Sequence, residues 1–290
     1  DGTKFISLAS HYEGDATDLL KLGFSQVGSD MVKKVVPFGT VLTLPATGSE
    51  MNTGAVISYN QGKFGVMSEL SYPKFSVLDP TVTFTLPKIQ VANGIVDAFV
   101  HTVEQYITFP VDARIQDRFA EGILQTLIEI GTTNVEEPEN YNARANMVWS
   151  ATLALNGLIG AGVPQDWATH MIGHELTAMF GIDHGQTLAI VYPSVMEVMR
   201  EQKQAKLVQY AERVWNITTG SDDEKINQAI SKTRAFFESL GIKTRLSDYG
   251  VSADKIPALV EQLKAHGMTA LSETGAITPE ISQKILENAL

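Results

Sequence analysis

The larger, second part of the chain carries apolar residues at helical spacing. Val91, Ile95, Phe99 and Val103 recur every four positions, which places their side chains on one face of a helix. The same kind of spacing predicts further helices, and Pro193 is expected to kink or divide one of them. These helices are expected near residues 112–130, 140–158, 165–180, 185–200, 203–215, 223–240, 253–266 and 278–289.

The first part of the chain has a different pattern. Short runs rich in β-branched and aromatic residues, bounded by Gly, Pro and Asn, occupy residues 35–44, 55–59 and 75–78. Such runs predict strands. Leu86-Pro87 marks the change to helical spacing. The pattern therefore predicts an α/β portion over residues 1–85 and an all-helical domain over residues 86–290.

Composition limits the classes of molecule that the protein can bind. The 290 residues carry a net charge of −11 without runs of Lys or Arg, which argues against nucleic acid or an anionic membrane and favours a small-molecule substrate. The chain has no cysteine, so His, Asp or Glu must hold any metal. No apolar run approaches the roughly 18 residues of a membrane span, and the first residues do not form a signal peptide. We therefore expect a cytoplasmic protein.

Asp97 and His101 are the first candidates for chemistry. They lie four residues apart and so share one face of the predicted helix, which is apolar on almost every side. A carboxylate buried in such a helix must be paired, hydrogen-bonded or bound to a metal. For these two residues alone, a buried Asp–His hydrogen bond is the favoured interpretation, ahead of a ligand pair.

Three later histidines favour the metal. His170 and His174 are again four residues apart, after Pro164, which suits the first turn of a helix. Asp183 is expected to cap the next helix, and His184 then lies in its first turn, where the positive helix end keeps an imidazole neutral. One carboxylate and three neutral imidazoles suit Fe²⁺ or Zn²⁺, and a cation with an open position would act as a Lewis acid.

Two common metal motifs do not fit. Glu175 follows His174, but no histidine comes three residues later, so the zinc-protease pattern is missing. A helical His–Asp phosphohydrolase would have an adjacent His-Asp pair, whereas the order here is Asp183-His184.

The residues of a short turn allow two interpretations. Thr47-Gly48-Ser49 follows a predicted strand, and backbone amides in such a turn can face an anion. An ordinary strand-ending turn explains the same residues. Lys63, by its sequence context alone, is a solvated loop lysine.

Several segments together resemble the iron-containing alcohol dehydrogenases. Asp79-Pro80, Thr85-Leu86-Pro87, Ala92, Asp97-Ala98, His101 and Glu104-Gln105-Tyr106 resemble the first signature of that family, and His170, His174 and His184-Gly185 resemble the second. Asp1-Gly2-Thr3-Lys4 resembles the end of the family's GGGSxxD phosphate-binding motif, and residues 43–50 resemble its TxxxTGSE loop. The details are most similar to the branch of NADPH-dependent reductases of small aldehydes.

The resemblance implies a role for each of these residues. Residues 1–85 would be the C-terminal part of a Rossmann-like dinucleotide-binding domain, and residues 86–290 a helical metal-binding domain. His174 would lie close to the nicotinamide and relay a proton. The implied metal ligands are Asp97, His101, His170 and His184, and the residues implied along the NADP(H) dinucleotide are Asp1, Thr43, Thr47, Asn52 and Lys63.

The resemblance also implies a homodimer and a longer cofactor domain. A family member would carry on the order of a hundred residues before Asp1, so we expect this dinucleotide-binding portion to be truncated. In the family, those residues largely decide between NAD and NADP. NADP(H) is therefore implied here by the branch alone.

Two alternatives stay open at this point. A lyase of the same fold, such as a dehydroquinate synthase, also combines a dinucleotide with a metal held by histidines, although its anionic substrate calls for more basic residues than these motifs contain. The chain could instead be a truncated remnant that folds and binds metal but holds no cofactor. The sequence favours an aldehyde reductase, acting reversibly as an alcohol dehydrogenase.

Overall fold

The structure of the protein is a computed structural model that describes residues 1–22, 26–28, 30–60 and 62–290. The first part of the chain forms two small sheets. In one, β1 and β4 pair in parallel; in the other, β2 and β3 form an antiparallel hairpin. The elements of this part are α1 (Gly2–Ala9), β1 (Thr40–Val41), β2 (Gly54–Tyr59), β3 (Gly62–Met67) and β4 (Ser76–Val77).

A small hydrophobic cluster holds this part together. Helix α1 packs on β2, and Leu8 from α1 and Val66 from β3 are both buried in the cluster. Lys4, on the same helix, is also buried. Its ammonium donates hydrogen bonds to the backbone oxygens of Asn52 (2.8 Å) and Gly54 (2.7 Å) and to Asn52 Oδ1 (2.9 Å). Lys4 therefore ties α1 to the segment that leads into β2.

The second part of the chain is helical. Helix α2 lies at its centre and packs against α3, α4 and α6, and α5 packs against α6, α9 and β3. Every residue of α2 from 91 to 106 is buried. The helices are α2 (Lys88–Tyr106), α3 (Arg114–Glu136), α4 (Tyr141–Leu155), α5 (Ala168–Phe180), α6 (His184–Val198), α7 (Gln204–Arg213), α8 (Asp222–Ser239), α9 (Ile256–Ala265) and α10 (Pro279–Asn288).

The structure agrees with the helix predictions and corrects several details. The strand predicted over residues 35–44 shrinks to the two residues of β1, and neither α1 nor β3 was predicted. Pro193 lies inside α6, which it does not divide. Pro164 does not lie in the first turn of α5, because that helix begins only at Ala168. The domain division at residues 85 and 86 stays a prediction.

A further observation concerns membrane-spanning segments. Among the described residues, no helix combines the length and the apolar composition that a membrane span requires.

Candidate metal and cofactor site

Helix α2 presents the carboxylate of the site. Asp97 is 3% exposed and His101 4% exposed, and the two lie one turn apart as predicted. His101 Nδ1 lies 3.5 Å from Asp97 Oδ1. This separation is beyond a normal hydrogen bond, so the simple buried Asp–His hydrogen bond is not formed.

Helix α5 presents His170 and His174 on one face. The helix begins against Glu104 of α2, whose Oε1 accepts a hydrogen bond from the backbone amide of Thr169 at 2.7 Å. The other oxygen of Glu104 forms a short hydrogen bond with His170 Nδ1. A carboxylate in this position fixes the orientation of the imidazole and leaves Nε2 free to act as a ligand. His170 Nε2 lies 3.7 Å from Asp97 Oδ1.

Helix α6 brings the last histidine. His184 is its first residue, as predicted, and its Nε2 lies 3.5 Å from Asp97 Oδ1. Asp183 occupies the N-cap position, but its side chain makes no capping hydrogen bond. Asp183 Oδ2 instead accepts a hydrogen bond from Asn93 Nδ2 of α2 at 3.0 Å. The predicted side-chain cap is therefore wrong, and the contact ties α6 to α2.

Three of the four predicted ligands converge on one point. One ligand atom from each of Asp97, His170 and His184 lies within 4.8 Å of the other two. His101 lies beside this group rather than in it, with its ring centroid 4.3 Å from that of His170. These atoms come from three different helices, so the helix packing sets their separation.

The environment holds most of these groups in the state that a metal requires. Burial lowers the pKa of His101 to about 4 and that of His184 to about 3, although the charge of Asp97 acts in the opposite direction. Burial disfavours the carboxylate of Asp97, but the adjacent histidines outweigh it and hold its pKa below the usual value. His170 differs: burial lowers its pKa, and the charges of Glu104 and Asp97 raise it to about 9.

The unsatisfied polar atoms of the site fit a divalent cation. Asp97 Oδ1, His101 Nδ1 and His170 Nε2 are buried and have no hydrogen-bond partner within the described part of the chain. Buried polar atoms without partners are costly, and a bound cation removes that cost. The donor set of one carboxylate and imidazoles suits Zn²⁺ or Fe²⁺.

His174 lies next to this group. Its ring centroid is 5.1 Å from that of His184 and 6.3 Å from that of His170. Burial, followed by the charges of His184, His170 and Lys63, lowers the pKa of His174 well below 6.5. Lys63 is part of strand β3, not of a solvated loop, and the charge of Asp97 acts on it. Strand β3 packs against α5, so the β2–β3 hairpin lies beside the helix that carries His170 and His174.

Three of the five residues predicted along the dinucleotide border one cavity. It has a volume of about 340 Å³ and lies between α1, β1 and the turn that follows β1; Asp1, Thr43 and Thr47 are among its lining residues. Gly48 in that turn has φ +58, a conformation that favours glycine. The turn therefore depends on glycine at this position.

Asp1 and Asn52 are engaged in holding this turn. Asp1 Oδ1 accepts from Ser49 Oγ at 2.6 Å, and Asp1 Oδ2 accepts from the backbone amide of Val56 at 3.0 Å. Asn52 Nδ2 donates to the backbone oxygens of Thr47 (3.0 Å) and of Leu155, at the end of α4 (3.2 Å). These contacts give both residues a framework role beside the cavity.

Sequence reasoning did not assign Glu104, Lys4 or Trp167. Glu104 and Lys4 stand inside the segments that carry the family resemblance, so their place in those segments was a usable signal. Trp167 carried none: it sits immediately before α5 with φ +65, and a positive φ in a tryptophan has no sequence signature.

Comparison with known proteins accounts for this arrangement. Residues 91–289 match the C-terminal part of the Fe-containing alcohol dehydrogenase family, and residues 1–80 match iron-containing alcohol dehydrogenase. The chain is 61% identical to the NADPH-dependent aldehyde reductase YqhD of Escherichia coli, over 100% of this chain and 74% of that protein. It is 39% identical to NADH-dependent butanol dehydrogenase A of Clostridium acetobutylicum, over 99% of this chain and 72% of that protein.

Solved structures have the same fold. The crystal structure of E. coli YqhD superposes with a TM-score of 0.96 at 60% identity, covering 100% of this chain and 74% of that one. NADH-dependent butanol dehydrogenase A of Thermotoga maritima gives a TM-score of 0.90 at 33% identity, covering 99% of this chain and 72% of that one. The chain belongs to the iron-containing alcohol dehydrogenase family.

Proposed function

We propose that this protein is an NADPH-dependent reductase of small aldehydes that uses a divalent metal and works in reverse as an alcohol dehydrogenase. The observation that carries the proposal is the convergence of Asp97, His170 and His184 beside His174 in a chain of this family. The 61% identity to an NADPH-dependent aldehyde reductase supports the reaction and the cofactor.

The proposed metal ligands are Asp97, His101, His170 and His184. His101 joins the three convergent residues because its Nδ1 is buried, lies 3.5 Å from Asp97 Oδ1 and has no hydrogen-bond partner among the described residues. Fe²⁺ and Zn²⁺ both suit this set of oxygen and nitrogen donors.

The cation, the nicotinamide and the side chains would have separate roles in the reaction. When bound, the cation would supply Lewis-acid polarisation of the substrate carbonyl, and the nicotinamide would supply the hydride. Glu104 holds His170 in the orientation of a ligand through its hydrogen bond to Nδ1. His174 is neutral at neutral pH, given its lowered pKa. It therefore passes a proton by releasing one from one ring nitrogen and accepting one from water at the other.

The proposed cofactor residues act in two ways. Thr43 and Thr47 line the cavity and would contact the dinucleotide directly, with the turn at Gly48 facing a phosphate. Asp1 and Asn52 hold that turn in place through their hydrogen bonds. Lys63 would supply a positive charge where the dinucleotide meets the metal cluster, because it interacts with Asp97, His174 and His184.

The alternatives are weaker. The two relatives described above are an aldehyde reductase and a butanol dehydrogenase, which supports hydride transfer over the lyase. A homodimer and a cytoplasmic location stay predictions. A remnant without cofactor predicts that the chain binds no NADPH, so calorimetric titration of the protein with NADPH separates it from the proposed reductase.

The decisive experiment replaces His170. His170→Ala should lose the bound metal and the NADPH-dependent reduction of butanal together, because it removes one convergent ligand. His11→Ala is the matched control, since His11 is partly exposed and its ring contacts the Ser10 hydroxyl. A His170→Ala protein that retains both one metal per chain and full activity would contradict the proposal.

A further inference from the structure

Trp167 has an unusual backbone for a large residue. It has φ +65 and ψ 1, in the left-handed region that glycine usually occupies, and it immediately precedes α5. Non-glycine residues persist in this region only when their surroundings hold them there, and they cluster at active sites and ligand contacts.

The neighbouring backbone is anchored on both sides of Trp167. The amide of Asp166 donates to the backbone oxygen of Glu104 at 2.8 Å. The amide of Ala168 donates to Asp166 Oδ1 at 2.9 Å, and that of Thr169 to Glu104 Oε1 at 2.7 Å. Glu104, the residue that orients His170, therefore also fixes the position of Trp167.

The indole is anchored as well. Its Nε1 donates to Gln165 Oε1 at 3.0 Å, and Gln165 Nε2 donates to the backbone oxygen of Gly160 at 3.2 Å. A Cβ added at Gly160 would lie 2.4 Å from Gln165 Nε2, so a side chain there would displace the amide. These contacts occupy the single polar atom of the indole and leave its ring as an apolar surface.

The apolar surface of the indole ring faces the proposed metal ligands. The indole packs edge-on against His101, at 6.0 Å between ring centroids, and against His170, at 5.5 Å. Trp167 at the N-cap of α5, His170 in its first turn and His174 one turn later form a row. The His170 ring lies 5.5 Å from the Trp167 ring and 6.3 Å from the His174 ring. Trp167 is only partly buried. The proton-relay histidine and the indole thus lie at opposite ends of the same row.

We propose that Trp167 determines substrate size, with its indole forming the wall against which the carbon chain of the aldehyde packs. This inference rests on the proposed function. Asp97, His170 and His184 would hold the cation that polarises the carbonyl. With the reacting side of the carbonyl toward His174, the alkyl group would extend to the other end of the row, where the indole lies. Because the indole offers no free hydrogen-bond donor, it selects by volume and favours short, unbranched aldehydes.

The test compares aldehydes of different size in three variants. Trp167→Gly removes the indole. Because glycine adopts a positive φ readily, the variant loses the side chain without adding backbone strain. Trp167→Phe keeps a smaller aromatic wall. The matched control is Trp149→Phe, since Trp149 is 52% exposed on α4. We expect the ratio of kcat/KM for 2-ethylbutanal to that for propanal to rise about tenfold or more in Trp167→Gly and less in Trp167→Phe.

A second readout does not depend on turnover. The chain has three tryptophans, so a Trp149→Phe/Trp215→Phe protein reports on Trp167 alone. Titration with Co²⁺, a paramagnetic ion, should quench this fluorescence and saturate at one ion per chain, and adding His170→Ala should abolish the effect. Absence of quenching in a protein that binds Co²⁺ would overturn the inference.

The outcomes separate the two proposals. If the unmodified protein reduces no aldehyde, the proposed function fails and the inference fails with it. If it reduces aldehydes and the size ratio is the same in the Trp167 and Trp149 variants, only the inference fails.

Discussion

Glu104 forms a hydrogen bond with Nδ1 of His170, and Nε2 of the same ring lies 3.7 Å from Asp97 Oδ1. The carboxylate on α2 and the imidazole on α5 are thereby held in a fixed relation. Glu104 also accepts a hydrogen bond from the amide of Thr169, so one side chain positions both a proposed ligand and the first turn of its helix.

This relation predicts the effect of Glu104→Gln. The amide cannot accept the imidazole proton as strongly, so His170 becomes a poorer and less well oriented ligand. We expect Zn²⁺ affinity to fall about 10- to 100-fold, measured by competition with a chelator.

Glu121→Gln is the control for this change. Glu121 is also buried and accepts a hydrogen bond, from the Tyr106 hydroxyl at 3.0 Å, but no metal ligand contacts it in the structure described. It should lose stability and keep its Zn²⁺ affinity. Equal affinities in the Glu104→Gln and unmodified proteins would remove the positioning role.

Metal binding should release a proton. The charges of Glu104 and Asp97 overcome burial and raise the pKa of His170 to about 9, so at pH 7.5 the cation must displace a proton from Nε2. Apparent affinity should fall by up to about tenfold for each pH unit below that pKa. Calorimetry in buffers of different ionisation enthalpy measures the release, and it should shrink in Glu104→Gln.

The same pKa gives the opposite trend for the metal-free protein. A pKa raised by folding adds stability that is complete below about 6.5, the ordinary value, and that is lost as the pH rises through about 9. In denaturant unfolding of metal-free, chelator-treated protein between these pH values, the contribution of His170 to the free energy of unfolding should fall as the pH rises. No proton release at pH 7.5 would contradict both expectations.

Gly94→Ala should displace the loop of residues 43–50, which we propose to bind the cofactor. A Cβ at Gly94 would lie 2.3 Å from the backbone oxygen of Pro45, within residues 43–50, so the loop must move away from α2. Overpacking of this kind costs about 1–3 kcal/mol. NADPH affinity should weaken in calorimetry.

A second helical glycine offers the matched control. A Cβ at Gly122, on α3, would meet nothing within 4 Å. Gly122→Ala should therefore be neutral or stabilising by up to about 1 kcal/mol, with unchanged NADPH affinity. If the two alanine variants bind NADPH equally well, the close approach of the loop to α2 does not matter for the cofactor.

Lys4→Met should uncouple α1 from the same loop. Lys4 is 2% exposed and donates three hydrogen bonds, to Asn52 and Gly54, and the substitution leaves their oxygens without that donor. We expect the free energy of unfolding to fall by about 2–5 kcal/mol in denaturant titrations. NADPH binding should weaken while the metal content stays at that of the unmodified protein.

Lys21→Met provides the comparison for this variant. Lys21 is exposed and pairs with Asp18 at 2.6 Å, so its loss should leave the free energy of unfolding nearly unchanged. Loss of metal in Lys4→Met would show that the two halves of the site are not independent.

The sequence predicted what depends on spacing along a single helix. The four-residue separations of Asp97 from His101 and of His170 from His174 correctly placed each pair on one face. Strand β3 was missed because its two glycines break the apolar alternation that marks a strand. Because β3 was not predicted, the sequence context placed Lys63 in a solvated loop. The hairpin instead carries Lys63 toward the histidines.

Contacts between distant segments were beyond the sequence pattern. Asp183 was expected to cap its own helix because Asp favours that position, but Asn93 of α2 offers a competing donor. The start of α5 was placed too early because nothing in the sequence indicates the left-handed conformation of Trp167. Both errors concern interactions that exist only after the helices pack.

The continuous burial of α2 from residue 91 to 106 limits what mutagenesis can reveal about the metal ligands. In a saturation mutagenesis screen scored by growth or activity, this whole segment should appear as one intolerant band, with Val96 and Phe99 as sensitive as Asp97. Intolerance alone would then not identify the ligands. Only variants sorted by metal content, at matched amounts of folded protein, would pick Asp97 and His101 out of that band.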